Sequence, residues 1–118
     1  MVSANPLTRF HRLQMDNGFI ETRTLLADDF IYRDLGRATM FSKDEYVTEY
    51  HRRYPTPGVD VWTDSIISVI TDTDSRASSM CFHSTDPHGN DWAVMSIATW
   101  NEYDLLTTLG EIWHRVNP

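Results

Sequence analysis

Asp91-Trp92-Ala93-Val94-Met95-Ser96-Ile97-Ala98-Thr99-Trp100 is the stretch on which the fold turns. An extended chain alternates its side chains, so Trp92, Val94, Ser96, Ala98 and Trp100 share one face and Ala93, Met95, Ile97 and Thr99 share the other. Both faces are mostly apolar, and such a strand needs cover on two sides. One face is expected to line an interior, and the other to pack against a second copy of the chain, giving a homodimer through the sheet.

Similar segments flank it. Val59–Thr71, Arg76–Thr85, Asp91–Tyr103 and Leu106–Val116 are rich in Val, Ile, Trp, Thr and Ser. The joints Asp72-Thr-Asp74, Asp86-Pro-His-Gly-Asn90 and Glu102-Tyr-Asp104 carry turn residues, which predicts an antiparallel meander. The first half has a helical period instead. Asn5 before Pro6 reads as an N-cap followed by a proline at the first helical position; Leu7, Phe10, Leu13 and Gln14 recur until Asn17-Gly18. A second helix is predicted over Phe19–Ala27, with Ile20, Thr24 and Leu25 together and Asp28-Asp29 as its stop. Phe30–Asp34 reads as a short strand with Phe30, Tyr32 and Asp34 on one face, followed by a loop after Gly36. Ser42-Lys-Asp-Glu45 matches a capping box, so a third helix is expected over about Lys43–Tyr54, closed by Pro55 and Pro57-Gly58. Helices followed by hairpin-linked strands imply an α+β fold with the helices on one face of a curved sheet.

The composition fits one core. A chain of 118 residues that is 41% hydrophobic and 12% aromatic holds enough apolar material for a single domain spanning 1–118. Seventeen acidic residues against ten basic ones give a net charge of −7. That charge repels phosphate backbones and anionic lipid, so neither nucleic acid nor membrane is an expected partner. The single cysteine, Cys81, forms no internal disulfide and reads as a core thiol. The N-terminus lacks a basic start followed by an apolar run, and no stretch approaches the roughly 18 apolar residues of a membrane span, so a cytoplasmic protein is expected. The sequence shows no HExxH pair, no Gly-rich phosphate cradle and no nucleophile elbow, so no metal and no cofactor are expected.

The stretch Phe10-His-Arg-Leu-Gln-Met-Asp-Asn-Gly-Phe-Ile-Glu-Thr-Arg-Thr-Leu-Leu-Ala-Asp-Asp-Phe-Ile-Tyr-Arg-Asp34-Leu-Gly36 resembles the ketosteroid-isomerase and SnoaL-like polyketide-cyclase branch of the nuclear transport factor 2-like superfamily. The resemblance passes without a gap through a Gly turn, an Ala-Asp-Asp and an Asp-x-Gly, and Glu111-Ile-Trp-His-Arg-Val-Asn117 is similar to the closing strand. It implies a cone-shaped, curved antiparallel sheet wrapped around the N-terminal helices, with an internal pocket. The implied chemistry is isomerase, cyclase or dehydratase-like lyase action on a hydrophobic, oxygenated ring substrate.

By the same resemblance, Asp34 falls on the aspartate that moves a proton beside a carbonyl, Tyr50 on a tyrosine supporting the oxyanion hole, and Trp113 on a pocket tryptophan. Phe10 stands where the family has a donor tyrosine, and Ser96 where it has a protonated aspartic acid. A phenyl ring cannot donate, and one lost donor typically costs about 3 kcal/mol of transition-state stabilisation.

The residues also speak for themselves. Asp34 lies beside Phe30 and Tyr32, where poor solvation raises a carboxyl toward the range of a general acid or base; before Gly36 it equally suits a turn cap. Ser96 is the nearest substitute donor, or else a small strand residue. His83, alternating with Ser79 and Cys81, either reaches the cone mouth as an acid or base or is a half-exposed strand histidine. Glu111 shares a face with Leu109 and Trp113, so an inward phase places a carboxylate among aromatics and pairs it with Asp34, whereas a one-residue slip sends it to solvent. Ser96, His83 or Tyr32 is expected to polarise the substrate oxygen, and Phe10, Trp92, Trp100 and Trp113 to hold the ring. Tyr46, Tyr50 and Tyr54 form a stripe that suits a core. His11 and His51 lie on helices beside charged residues, His88 in a turn, and His114 alternates away from Trp113.

Overall fold

The computed structural model describes residues 5–17, 22–53 and 63–117, with the main chain alone at 15–17 and 50–53. Helix α1 (Pro6–Asn17) starts where its capping chemistry puts it. The Asn5 side-chain oxygen accepts from the Thr8 amide at 2.8 Å, satisfying one of the amides a helix start leaves open. A single 3₁₀ turn (Arg23–Leu25) then leads into β1 (Leu26–Asp34). Of the second helix expected over Phe19–Ala27, Thr22 is helical, Arg23–Leu25 is the 3₁₀ turn and Leu26 and Ala27 already belong to β1, while 18–21 lie outside the described residues.

Asp28 and Asp29, expected to stop that helix, are exposed residues within β1, and the pairing register shifts between Leu26 and Ile31. Leu26 is buried opposite Leu106, and this cross-sheet burial outweighs the helical period of the local sequence. Thr39–Ser42, expected as loop, forms β2 and pairs antiparallel with Ile31–Asp34. Four residues are too few to display a period of their own.

Helix α2 (Lys43–Arg53) carries the capping box: the Glu45 carboxylate accepts from the Ser42 amide at 3.0 Å, and the Ser42 hydroxyl from the Glu45 amide at 3.3 Å. Strands β3 (Thr63–Asp72), β4 (Ala77–Thr85), β5 (Asp91–Trp100) and β6 (Leu106–Arg115) follow as an antiparallel meander. Residues 59–62 of the expected third strand lie outside the described residues.

The six described strands form one curved, open sheet in the order β2-β1-β6-β5-β4-β3. It is mixed rather than wholly antiparallel, because β6 returns beside β1 in parallel. The two strands are far apart in sequence, so no hairpin turn dictates their relative direction. Helix α1 packs on β4, and α2 on β1 and β2. The core joins Leu7, Phe10, Phe30, Tyr32, Tyr46, Met80, Phe82, Val94, Ala98, Trp100 and Leu109. Each of the larger aliphatic and phenyl side chains among them contributes roughly 1.5–3 kcal/mol by leaving water. No described helix is long and apolar enough to cross a membrane.

Candidate active site

The inner face of the sheet is a grid whose rows follow from the strand register. One row reads Asp34, Glu111, Ser96, Met80; another reads Arg115, Trp92, Ser84, Asp64; the row between them holds Trp113, Val94, Phe82 and Ile66. Ser84, Ser96 and Glu111 are the buried polar side chains of this grid, and each needs a partner.

Glu111 is the central one. Its inward phase puts the carboxyl out of solvent, 8% exposed, and the Ser96 hydroxyl donates to it at 2.9 Å. The Tyr32 hydroxyl and the Trp113 indole N–H also donate to it. Burial pushes this carboxyl above the ordinary value of 4.5, against the pull of the Ser96, Tyr32 and Trp113 hydrogen bonds and of the nearby His11. Loss of hydration penalises the charged form more than three donors repay, which is how a carboxyl is brought toward neutral-pH proton transfer.

A second polar cluster lies nearby. His11 on α1 is buried, and its Nε2 is 2.7 Å from Asp64 Oδ2. The other oxygen of Asp64 accepts from the Ser84 hydroxyl at 2.5 Å, and Ser84 is also buried. The imidazole lies on Phe82 with centroids 4.6 Å apart; Phe82 meets Trp113 edge-on at 6.1 Å, and Trp113 meets Trp92 at the same distance. A continuous wall of rings thus joins the two clusters.

The expected substrate-contacting residues divide. Tyr32 is buried and stacks on Phe41 at 6.1 Å, with Tyr46 4.7 Å away. Phe10 is buried on α1, 6.4 Å from Tyr46. Trp92 is partly buried and donates its indole N–H to Asp86 at 3.2 Å. Trp100 is a buried core residue level with Leu106, four residues along β5 from Ser96. Tyr50 lies on α2, and its side chain is outside the described residues, as is Tyr54.

Two expected residues, Asp34 and His83, take positions that match the second of the readings open to each. Asp34 stands level with Glu111 on the neighbouring strand, but its Oδ1 accepts from the Gly36 and Arg37 amides at 3.1 Å each, and Arg37 Nε lies 3.9 Å from Oδ2. It caps the turn. A short carboxylate two residues before a glycine captures the amides of its own turn more readily than it reaches across the sheet. His83 does not reach the cone interior either. On β4, Ser78, Met80, Phe82 and Ser84 are the buried, inward set, so His83 and Cys81 belong to the convex side, and Cys81 is half-buried rather than a core thiol. Both phases of β4 mix Ser with larger residues, so composition alone does not choose between them.

His11, Asp64 and Ser84 were not singled out by sequence. The signal was present for His11, because Leu7, Phe10, His11 and Gln14 recur at the spacing of one apolar helix face. Nothing local connects it with Asp64, 53 residues on. Among the described residues no group of three or more His, Cys, Asp or Glu side chains is arranged to hold a metal ion.

No protein-family model and no curated protein matches the chain. Solved structures do. A nuclear transport factor 2-like protein of unknown function from Cytophaga hutchinsonii superposes with a TM-score of 0.70 at 8% identity, covering 97% of this chain and 95% of that one. An LEH-like epoxide hydrolase from M. tuberculosis gives 0.73 at 15% identity, covering 92% and 80%. A proposed ketosteroid isomerase from Kribbella flavida gives 0.68 at 13% identity, covering 96% and 81%.

Proposed function

We propose that this chain, which has the nuclear transport factor 2-like fold, is a cofactor-independent acid–base enzyme acting on a hydrophobic, oxygenated ring compound, with Glu111 as the proton-transfer group. The reaction class is isomerisation, cyclisation or a dehydratase-like elimination, each of which begins with the same proton movement. The observation that carries the reading is the Glu111 carboxyl itself: buried on the concave face, raised above its ordinary value and supplied with donors from three side chains. The names of structural neighbours, a proposed ketosteroid isomerase and an LEH-like epoxide hydrolase among them, are compatible with small-molecule chemistry in this fold. Fold alone does not assign it.

The aspartate expected as the base is replaced in this reading by a glutamate on the adjacent strand. Ser96 sets the orientation of Glu111, and Tyr32 and Trp113 set its charge balance and form the wall against which an apolar ring is held. A non-catalytic ligand-holding module is the second reading, favoured by the capping role of Asp34 and by Phe10, which has no donor.

The test is a ¹³C titration of the Glu111 carboxyl, with Glu111→Gln as the assignment control and a panel of hydrophobic ketones and polyketide-like rings added in turn. A midpoint above 4.5 that moves again with a ring compound, together with turnover lost in Glu111→Gln, is the expected outcome. Ring binding with equal affinity in both proteins and no turnover in either would establish the binding module instead.

The same reading includes a second copy as partner. Met95, Ile97 and Ile112 are exposed on the convex side of β5 and β6, and Ile70 extends the apolar band onto β3. A monomer that leaves so much aliphatic surface in water favours self-association.

A further inference from the structure

We propose that the seam between α1 and the edge strand β3 is the entrance to the Glu111 site, with α1 as its lid and Ile66 and Val69 as its apolar threshold. On the reading of Glu111 as the acid–base centre, on which this rests, the seam supplies the route by which a ring compound arrives.

Asp64, Ile66, Val69 and Thr71 form the inward face of β3, since they pair with Ser84, Phe82, Met80 and Ser78, the buried set of β4. Ile66 and Val69 are an odd number of residues apart, and the register shift between Ile66 and Ser68 turns both to the same side. The outer, polar pair of this face fastens α1. Asn5 Nδ2 donates to Thr71 Oγ1 at 2.8 Å and to Ser78 Oγ at 3.4 Å, while His11 Nε2 meets Asp64 Oδ2 at 2.7 Å. Between these clasps the aliphatic pair is open: Ile66 is 47% and Val69 39% exposed, although their neighbours Phe82 and Met80 are buried. The helix covers β4 and stops short of β3.

Two rows of the sheet lead inward from this threshold. Val69 is followed across the strands by Met80, Ser96 and Glu111, and Ile66 by Phe82, Val94 and Trp113, whose indole donates to Glu111. Three strand spacings, about 14 Å in all, separate Val69 from Glu111. An elongated fused-ring compound therefore rests one end on β3 while the other reaches the carboxyl. Apolar side chains line both rows up to Ser96, Trp113 and Glu111, so the path favours a body that gains by leaving water.

With the lid shut, His11 lies on Phe82 at 4.6 Å and Glu111 is buried, so a ring enters only when α1 moves. The far flank of α1 is tied to the body by Leu7 and Phe10 in the core and by Gln14, which donates to Tyr46 on α2 at 3.1 Å. The β3 flank is held by polar clasps, whose hydrogen bonds water replaces as they part. Packed apolar side chains have no such substitute, so the helix opens on the β3 side.

The test uses the whole chain and prodan, a neutral fluorescent naphthyl ketone, with uptake followed by stopped flow. In a Cys81→Ser background, Asn5→Cys and Thr71→Cys are bridged by ethylene bismethanethiosulfonate, which joins each thiol through a disulfide that dithiothreitol removes. The bridged protein is expected to take up prodan several-fold more slowly than the same protein after dithiothreitol. Thr71→Val, which lacks the hydroxyl that Asn5 holds, is expected to take it up faster than the native chain, and Ile66→Glu, which sets a charge on the threshold, more slowly. Equal rates in bridged and released protein overturn the proposal. If the bridge does not form, Thr71→Val and Ile66→Glu decide, and native rates in both overturn it as well. So does a native chain that takes up no prodan. An ordinary Glu111 midpoint together with bridge-dependent uptake sinks the acid–base reading and leaves the entrance standing. Turnover of a ring compound at one rate in bridged and released protein sinks the entrance alone.

Discussion

At the scale of residues, the site is governed by how each polar group is repaid for losing water. Glu111 is repaid incompletely, so its neutral form is favoured more in the folded than in the unfolded chain. The consequence for stability has a definite sign. Below 4.5 the carboxyl is protonated in both folded and unfolded chains and contributes no pH dependence. As pH rises past 4.5, the unfolded chain releases its proton before the folded one does, so stability falls until the raised native midpoint is passed. Glu111→Gln is therefore expected to gain stability relative to the native protein between pH 4 and pH 7, as measured by urea denaturation at a series of pH values. An equal difference at both ends of that range would show that Glu111 titrates normally. Residue identity announced part of this. Glu111 and Ser96 were legible from strand phase, and Asp34 was legible in both its roles, of which the turn cap is the one observed. The His11 and Asp64 pairing was not legible, because the attraction joins a helix face to an edge strand and leaves no local mark.

At the scale of elements, local chemistry was the better guide where it was self-contained. The Asn5 cap and the Ser42–Glu45 capping box are closed within four residues, and both helices start where those residues say they should. Ser42→Ala is expected to cost about 1 kcal/mol, because the Glu45 amide loses its acceptor at the start of α2. Thermal denaturation checks it, with a lowering of about 4 °C anticipated for a domain of this size. Ser42→Thr, which keeps the hydroxyl, is expected to stay close to the native value. Local chemistry failed at β1 and β2. The run after Arg23 has a helical period, yet Leu26 is claimed by Leu106 across the sheet, and β2 exists only because β1 offers it a partner.

At the scale of the whole molecule, the convex surface carries the remaining unsatisfied demand. Ile97 lies exposed at its centre and level with Gly110, where an added side chain would meet Leu35 Cδ1 at 3.3 Å. This face is therefore already closely fitted on one side and open on the other. Ile97→Glu is expected to convert a dimer into a monomer in sedimentation velocity while leaving the far-ultraviolet spectrum unchanged, since the side chain faces away from the core. A native chain that sediments as a monomer at all concentrations would refute the second-copy partner. Sequence by itself determined the α+β class, the helix starts, the strand count of the meander and the two-sided apolar strand at its centre. These follow from periods and caps, which are short-range. Only tertiary structure decided which of two equally mixed faces of β4 turns inward, that β6 closes beside β1 in parallel, and that His11 meets Asp64. Each of these depends on partners tens of residues away, whose burial and hydrogen bonding outweigh any local preference.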